Sequence, residues 1–245
     1  MRIGTAEQGR RRRRFLRLDN GFEYHKGEWL ESPAEAVPSP TAFLVEQGPD
    51  STLPTHFHLQ NEFQVVVAGG GHFARHPVRA VSVHYAGAYT GYGPIVAGPS
   101  GLSYFTLRSM FESGANFLPE ARDRLRRGPK VQRFGDPIDL LAPERLRSLG
   151  SIRVEDNIPS EDGVFARVVL LPPGAALPIR HEGPSSGQFQ MVLAGSVVCA
   201  DGGTLGALEM VFMAPGDAEA GLVAGPGGAQ VLGLQLPGRA AEYDS

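Results

Sequence analysis

The sequence predicts an all-β protein built of two tandem antiparallel β-barrels with a short helical connector, and three observations point there. Composition is the first. Gly 32 and Pro 20 in 245 residues, with only 20% charged and 8% aromatic residues, describe a chain that turns often and favours many short strands. An apolar content of 42% excludes general disorder. The second is patterning: apolar runs rich in Val, Phe and Leu are broken by Gly, Pro and Ser at the spacing of a sandwich or barrel. The third is duplication. Glu62 to Gly69 (EFQVVVAG) recurs as Gln188 to Gly195 (QFQMVLAG), and Val96 to Gly101 (VAGPSG) recurs as Val223 to Gly228 (VAGPGG). Upstream, Ala42 to Pro54 and Ala166 to Pro178 share an apolar pattern that Leu-Pro closes in both. The matches are collinear, and their offset grows slowly through small insertions in the second copy.

Taken in order, residues 1–20 form a basic arm, 21–115 the first barrel, 116–150 the connector and 151–245 the second barrel. The arm holds seven arginines (Arg2, Arg10, Arg11, Arg12, Arg13, Arg14 and Arg17) against Glu7 and Asp19. The net charge of −3 is therefore an average over a basic arm and an acidic body. Such a run can bind nucleic acid, but no aromatic interleaving or recognition helix accompanies it. A solvated arm packing on the acidic body is the expectation, with no nucleic-acid partner. In the connector, Pro119 to Arg127 (PEARDRLRR) and Pro143 to Leu149 (PERLRSL) each place Pro before helix-favouring residues, which predicts two short helices.

A single cysteine, Cys199, gives neither an internal disulfide nor a thiolate motif. Nothing resembles a signal peptide, and no apolar stretch is long enough to span a bilayer. Cytoplasmic residence without a membrane partner is expected, and a homodimer is allowed.

The chemistry concentrates in His56-Phe57-His58-Leu59-Gln60-Asn61-Glu62. Residues two apart on a strand share a face, so His56 and His58 can present imidazoles to one point. The short Leu59-Gln60-Asn61 turn can bring Glu62, on the next strand, to the same point. Two imidazoles and a carboxylate with open positions suit non-haem Fe(II), and also Mn, Ni, Zn or Cu. The competing reading is two surface histidines beside an unrelated glutamate. Gln64, two after Glu62, points inward with it. His84, in the strand-like Val81-Ser82-Val83-His84-Tyr85, faces either the cavity or the exterior. Tyr85, Tyr89, Tyr92, Tyr104 and Phe105 either line a pocket for an apolar or aromatic substrate or form core.

At these residues the sequence resembles the cupin superfamily. The first motif of that superfamily is a Gly, then HxH, three or four residues, Glu, six residues and Gly. His56, His58, Glu62 and Gly69 fall at those spacings, while Gly48 sits farther upstream than the pattern asks. With the duplication, residues 40–110 and 164–236 resemble a bicupin: two tandem cupin (jelly-roll) barrels with the metal inside. The second motif falls in copy two on Gly216, with Glu219 in the place of a fourth-ligand His, and Glu219 maps onto Tyr92 in copy one. Tyr92 then ligates, hydrogen-bonds substrate, donates a proton or simply packs.

Copy two places Arg180 and Glu182 at the two His positions and Gln188 at the Glu position. It is expected to bind no metal, with Arg180 paired to Glu182 or Glu219 in place of an ion. The resemblance thus implies one divalent transition metal, in the N-terminal barrel only. The expected ligands are His56, His58 and Glu62, and the catalytic candidates are Tyr92, Gln64 and His84. The expected activity is a metal-dependent enzyme on a small-molecule substrate, foremost a mononuclear Fe(II) dioxygenase-type oxidoreductase. The alternatives are a Lewis-acid isomerase, decarboxylase or cyclase, and a non-enzymatic ligand-binding, regulatory or storage-like bicupin.

Overall fold

The computed structural model describes residues 1–33, 35–217 and 221–244. Strand β1 (Arg2–Gly4) and helix α1 (Ala6–Arg11) precede β2 (Arg14–Arg17), β3 (Glu23–Leu30), β4 (Thr41–Gln47), β5 (Thr52–Leu53) and β6 (His56–Phe57). Next come β7 (Glu62–Phe73), β8 (His76–Arg79), β9 (Ser82–Ala86), β10 (Ile95–Arg108), β11 (Asn116–Phe117), a 3-10 turn (Arg122–Arg124), β12 (Gln132–Phe134) and helix α2 (Pro143–Arg147). The chain ends with β13 (Arg153–Glu161), β14 (Val164–Leu171), β15 (Ser185–Val198), β16 (Thr204–Leu205), β17 (Met210–Met213), β18 (Val223–Pro237) and a 3-10 turn (Ala241–Asp244).

Two all-β units result. The N-terminal unit is Gln8–Ile138 together with the residues from Arg239 onward. Its nine-stranded antiparallel sheet runs β12-β9-β7-β10-β4-β3-β2, with β5 on β10 and β8 on β7. Its core gathers Phe22, Val45, Leu53, Val66, Phe73 and Ile95, among others. The C-terminal unit is Met1–Glu7 with Asp139–Gly238. Its seven-stranded sheet runs β1-β17-β15-β18-β14-β13, with β16 on β15. Its core is aliphatic, built around Leu171, Val192, Val211, Ala229 and Val231.

The duplicated sequence produces duplicated backbone. Gly69 (φ +69°) and Gly195 (φ +75°) hold equivalent places in β7 and β15, each in the left-handed region. A Cβ on Gly69 would lie 2.1 Å from the Gly101 carbonyl oxygen, and one on Gly195 would lie 2.1 Å from that of Gly228. Both glycines are therefore required by conformation and by contact.

Three expectations are corrected. Residues 1–20 are not an arm laid on the body but part of its two sheets. Their first part supplies β1, which pairs with β17 (Ile3 opposite Val211), and Arg14–Arg17 is an edge strand on β3. Three of the arginines find carboxylates in the N-terminal unit: Arg12 with Glu31 (3.1 Å), Arg13 with Glu46 (2.6 Å) and Arg14 with Glu28 (2.7 Å). Residues 116–150 are not a separate connector, because β12 joins the N-terminal sheet beside β9. Of the two expected helices only Pro143–Arg147 forms, with Pro in its first turn and Leu146 buried. Over Pro119 to Arg127 there is only the turn Arg122–Arg124, which buries no residue and has no side-chain cap.

Among the described residues no helix is long and apolar enough to cross a membrane.

Candidate metal centre

Strand pairing gathers the predicted residues in the N-terminal unit. His56 and Tyr92 form an antiparallel bridge, exchanging backbone hydrogen bonds of 3.1 and 3.0 Å. Their side chains therefore meet, with His56 Nε2 2.9 Å from the Tyr92 hydroxyl. The His56 Nδ1–H donates to the Pro54 carbonyl (2.8 Å), so Nε2 carries the lone pair. Burial, then the neighbouring His58, pushes the His56 pKa down to about 4, so the ring is neutral at neutral pH.

Glu62 opens β7, and Gln64 stands two residues on, opposite His84 in β9. One relay links them. Gln132 donates to His84 Nε2 (2.9 Å), and His84 Nδ1 donates to Gln64 Oε1 (2.5 Å). Gln64 Nε2 then donates to Glu62 Oε1 (2.6 Å) and to the Tyr92 hydroxyl (2.7 Å). Tyr92 donates to Glu62 Oε1 at 2.5 Å. Burial first, then the Glu62 charge, raises the Tyr92 pKa well above its ordinary value, so the phenol keeps its proton. Burial pushes His84 down to about 3.

Two further residues complete the site. Arg108, at the end of β10, donates to Glu62 Oε2 from Nε (2.8 Å), with Nη2 2.7 Å from the same oxygen. Burial alone would raise the Glu62 pKa; His58 and Arg108 outweigh it and hold the group at about 2. Glu112 Oε2 lies 3.3 Å from His58 Nδ1, while its Oε1 accepts from the Leu59 amide (2.9 Å). His58 Nε2 is 3.9 Å from Glu62 Oε1.

His56, His58, Tyr92, Arg108 and Glu112 line a cavity of about 270 Å³, whereas Glu62, Gln64 and His84 stand behind that wall. Of the five aromatics considered for a pocket, Tyr92 and Tyr104 reach the cavity. Tyr85, Tyr89 and Phe105 are buried away from it.

No family model and no curated protein matches the sequence. Solved structures do match the fold. A Pseudomonas aeruginosa protein described as glyoxylate-induced superposes with a TM-score of 0.56 at 14% identity, covering 92% of this chain and 84% of its own. The Escherichia coli pirin YhhW, solved with nickel(II), gives 0.54 at 12% identity, covering 96% and 98%. A single-substitution variant of oxalate decarboxylase from Bacillus subtilis gives 0.51 at 12% identity, covering 94% and 76%. These are cupin proteins. The chain has the cupin fold. At these identities the likeness is one of fold.

In this fold the donor chemistry at the site fits a divalent transition metal. It offers two imidazoles together with a carboxylate and a phenol oxygen; His56 is backed by a backbone carbonyl, as metal-bound histidines usually are, while His58 Nδ1 lies 3.3 Å from the Glu112 carboxylate without a hydrogen bond to it. The side chains stand in a hydrogen-bonded arrangement. Among the described residues no three His, Cys, Asp or Glu groups are placed as a ready ligand set. The physical reason is Glu62, whose Oε1 accepts from Tyr92 and Gln64 while Oε2 is held by the Arg108 guanidinium.

The second unit holds a neutral counterpart. Gln188 donates to Gln235 Oε1 (2.8 Å) and to the Arg180 carbonyl (2.7 Å), and Gln190 donates to Gln188 Oε1 (3.0 Å). The expected Arg180–Glu182 pair is replaced: Glu182 takes Arg167, whose Nη2 donates at 3.1 Å and whose Nη1 lies closer still. Arg167 is carried to Glu182 by β14, where it also lies over the Phe165 ring at 4.3 Å. Glu219 lies outside the described residues.

Sequence reasoning missed Arg108 and Glu112. For Arg108 a signal existed: the repeat places Gln235 at its position. Gln235 is directly opposite Gln188 in the ladder, and the Leu107–Phe63 pair brings Arg108 to Glu62 in the same way.

Proposed function

We propose that the chain is a metal-dependent cytoplasmic enzyme acting on a small organic molecule. His56, His58 and Glu62 of the N-terminal unit would hold one divalent transition metal, Fe(II) first among Fe, Mn, Ni, Zn and Cu, and the C-terminal unit would hold none. The observation that carries this reading is His56: its proton is fixed on Nδ1 by Pro54, and its Nε2, carrying the lone pair, lies 2.9 Å from the Tyr92 hydroxyl in the lining of a cavity. A bound ion of this class supplies Lewis acidity or, as iron, dioxygen activation, and an oxidoreductase of the dioxygenase type is the leading assignment. Tyr92, the protonated group at the cavity wall, would hydrogen-bond or protonate substrate. Gln64 and His84, behind the wall, act as positioning residues that orient Tyr92 and Glu62.

Elemental analysis after reconstitution with Fe(II), Mn and Zn tests the metal. About one ion per chain is expected in the wild type and none in His56→Ala/His58→Ala. A wild type that takes up far less than one ion overturns the reading.

A second reading, a ligand-binding cupin without a resident metal, is favoured by the Arg108–Glu62 pair, which already neutralises the carboxylate. Dioxygen consumption by iron-loaded protein with added diketones, phenols or thiols separates the two: uptake with any of them supports the oxidoreductase.

A further inference from the structure

The proposed function leaves the substrate unnamed, but the cavity walls describe it. The volume of about 270 Å³ lies at the small end for ligand pockets, which restricts the occupant to a compact molecule. One wall is apolar, with Leu18, Phe22, Leu53 and Phe117. The lining also carries two cations on one aromatic shelf. Lys26 Nζ lies 4.2 Å and the Arg108 guanidinium carbon 5.6 Å from the centroid of Phe43. Sheet register puts them together: Lys26 lies opposite Val45, Phe43 opposite Thr106, and Arg108 two residues farther along β10.

Both cations keep donors to spare. Arg108 uses Nε and Nη2 on Glu62, and among the described residues its Nη1 makes no hydrogen bond. Among the described residues the one carboxylate on Lys26, Glu28 at 2.9 Å, is shared with Arg14 at 2.7 Å.

We propose that the cavity binds a small organic carboxylate, with its anionic end on Lys26 Nζ and Arg108 Nη1 and its apolar remainder between Phe22 and Phe117. The proposal takes from the preceding reading only that this cavity is the substrate site.

Calorimetric titration of the full chain with phenylacetate, its neutral isostere phenylacetamide and inorganic sulfate tests it, on chelator-treated and on nickel-loaded protein. In both samples phenylacetate is expected to bind about tenfold or more tightly than phenylacetamide, the worth of a charge-assisted hydrogen bond, and more tightly than sulfate. The preference is expected to vanish in Lys26→Met and in Glu62→Gln/Arg108→Gln. The double variant copies the amide pair of the second unit and so keeps the fold if Arg108→Gln alone does not.

Equal affinity for acid and amide, a preference that survives both variants, or sulfate binding as tight as phenylacetate overturns the proposal. So does a preference confined to nickel-loaded protein and indifferent to Lys26→Met, which would place the anion on the metal alone. Metal content measured on the same samples reports separately on the enzyme reading. Carboxylate preference without metal uptake keeps this inference and removes that one, and the reverse result does the opposite.

Discussion

Glu62 and Arg108 face each other across β7 and β10, and the second copy holds Gln188 and Gln235 at the same two places, with Gln188 donating a 2.8 Å hydrogen bond to Gln235. The molecule thus holds the same contact twice, once with charge and once without it. Removing one partner of a buried ion pair strands the other charge, whereas replacing both with a neutral pair of similar shape costs much less. Arg108→Gln alone is therefore expected to destabilise the N-terminal unit by about 3 kcal/mol or more, and Glu62→Gln/Arg108→Gln by less than the sum of the single changes. A double-mutant cycle in urea measures this; additivity of the two changes would show that the pair is not coupled. The same residues mark how far the sequence could be read. His56, His58, Glu62 and Gln64 lie within one short segment, where strand periodicity alone places them on a face. Tyr92 was reachable through the repeat. Arg108 is 46 residues from Glu62 and carries no local motif, so only the register of the ladder brings it to the site. Glu112 follows the end of β10, where no periodicity applies.

At the level of the strand, the duplication was legible because it resides in backbone requirements as well as in side chains. Gly69 combines a φ of +69° with a Cβ position 2.1 Å from the Gly101 carbonyl oxygen. An alanine there meets both the left-handed penalty and a backbone clash, and Gly69→Ala is expected to cost at least about 2 kcal/mol. Gly48 has nothing within 4 Å of its Cβ position and no positive φ, so Gly48→Ala should be neutral or slightly stabilising. Chemical denaturation of the two variants checks the contrast, and equal effects would deny the close approach any role. Local propensity, by comparison, misplaced the helix expected over Pro119 to Arg127. Both connector segments begin with Pro followed by charged helix formers, but Pro143–Arg147 buries Leu146 and the turn at Arg122–Arg124 buries nothing. A short helix gains its stability from such packing, and the sequence alone does not say which segment finds it.

Across the whole chain, the sequence announced two barrels in succession, but their boundaries are interleaved. Residues 1–7 belong to the C-terminal unit, through β1 on β17, and the residues from Arg239 belong to the N-terminal unit. Neither terminus lies within the matched repeat segments, and strand pairing between positions so far apart leaves no periodic trace. The C-terminal segment makes a testable contribution. The Tyr243 hydroxyl donates to the Ala88 carbonyl at 2.9 Å, its ring lies 4.8 Å from that of Tyr89, and it joins Phe57 and Ala88 in one buried cluster. Phe57 lies between His56 and His58, so this cluster backs the segment that carries both imidazoles. Truncating a buried aromatic to alanine costs about 3 kcal/mol or more, and Tyr243→Ala should lower the stability of the N-terminal unit by that amount. The single tryptophan, Trp29, is buried in that unit against Phe105 at 4.9 Å, so its fluorescence follows the right transition. Tyr243→Phe keeps the packing and loses the hydroxyl's bonding to the Ala88 and Pro129 carbonyls, and is expected to cost about 1 kcal/mol. A Trp29 unfolding midpoint that moves in neither variant would mean that the C-terminal segment merely rests on the unit it is assigned to complete.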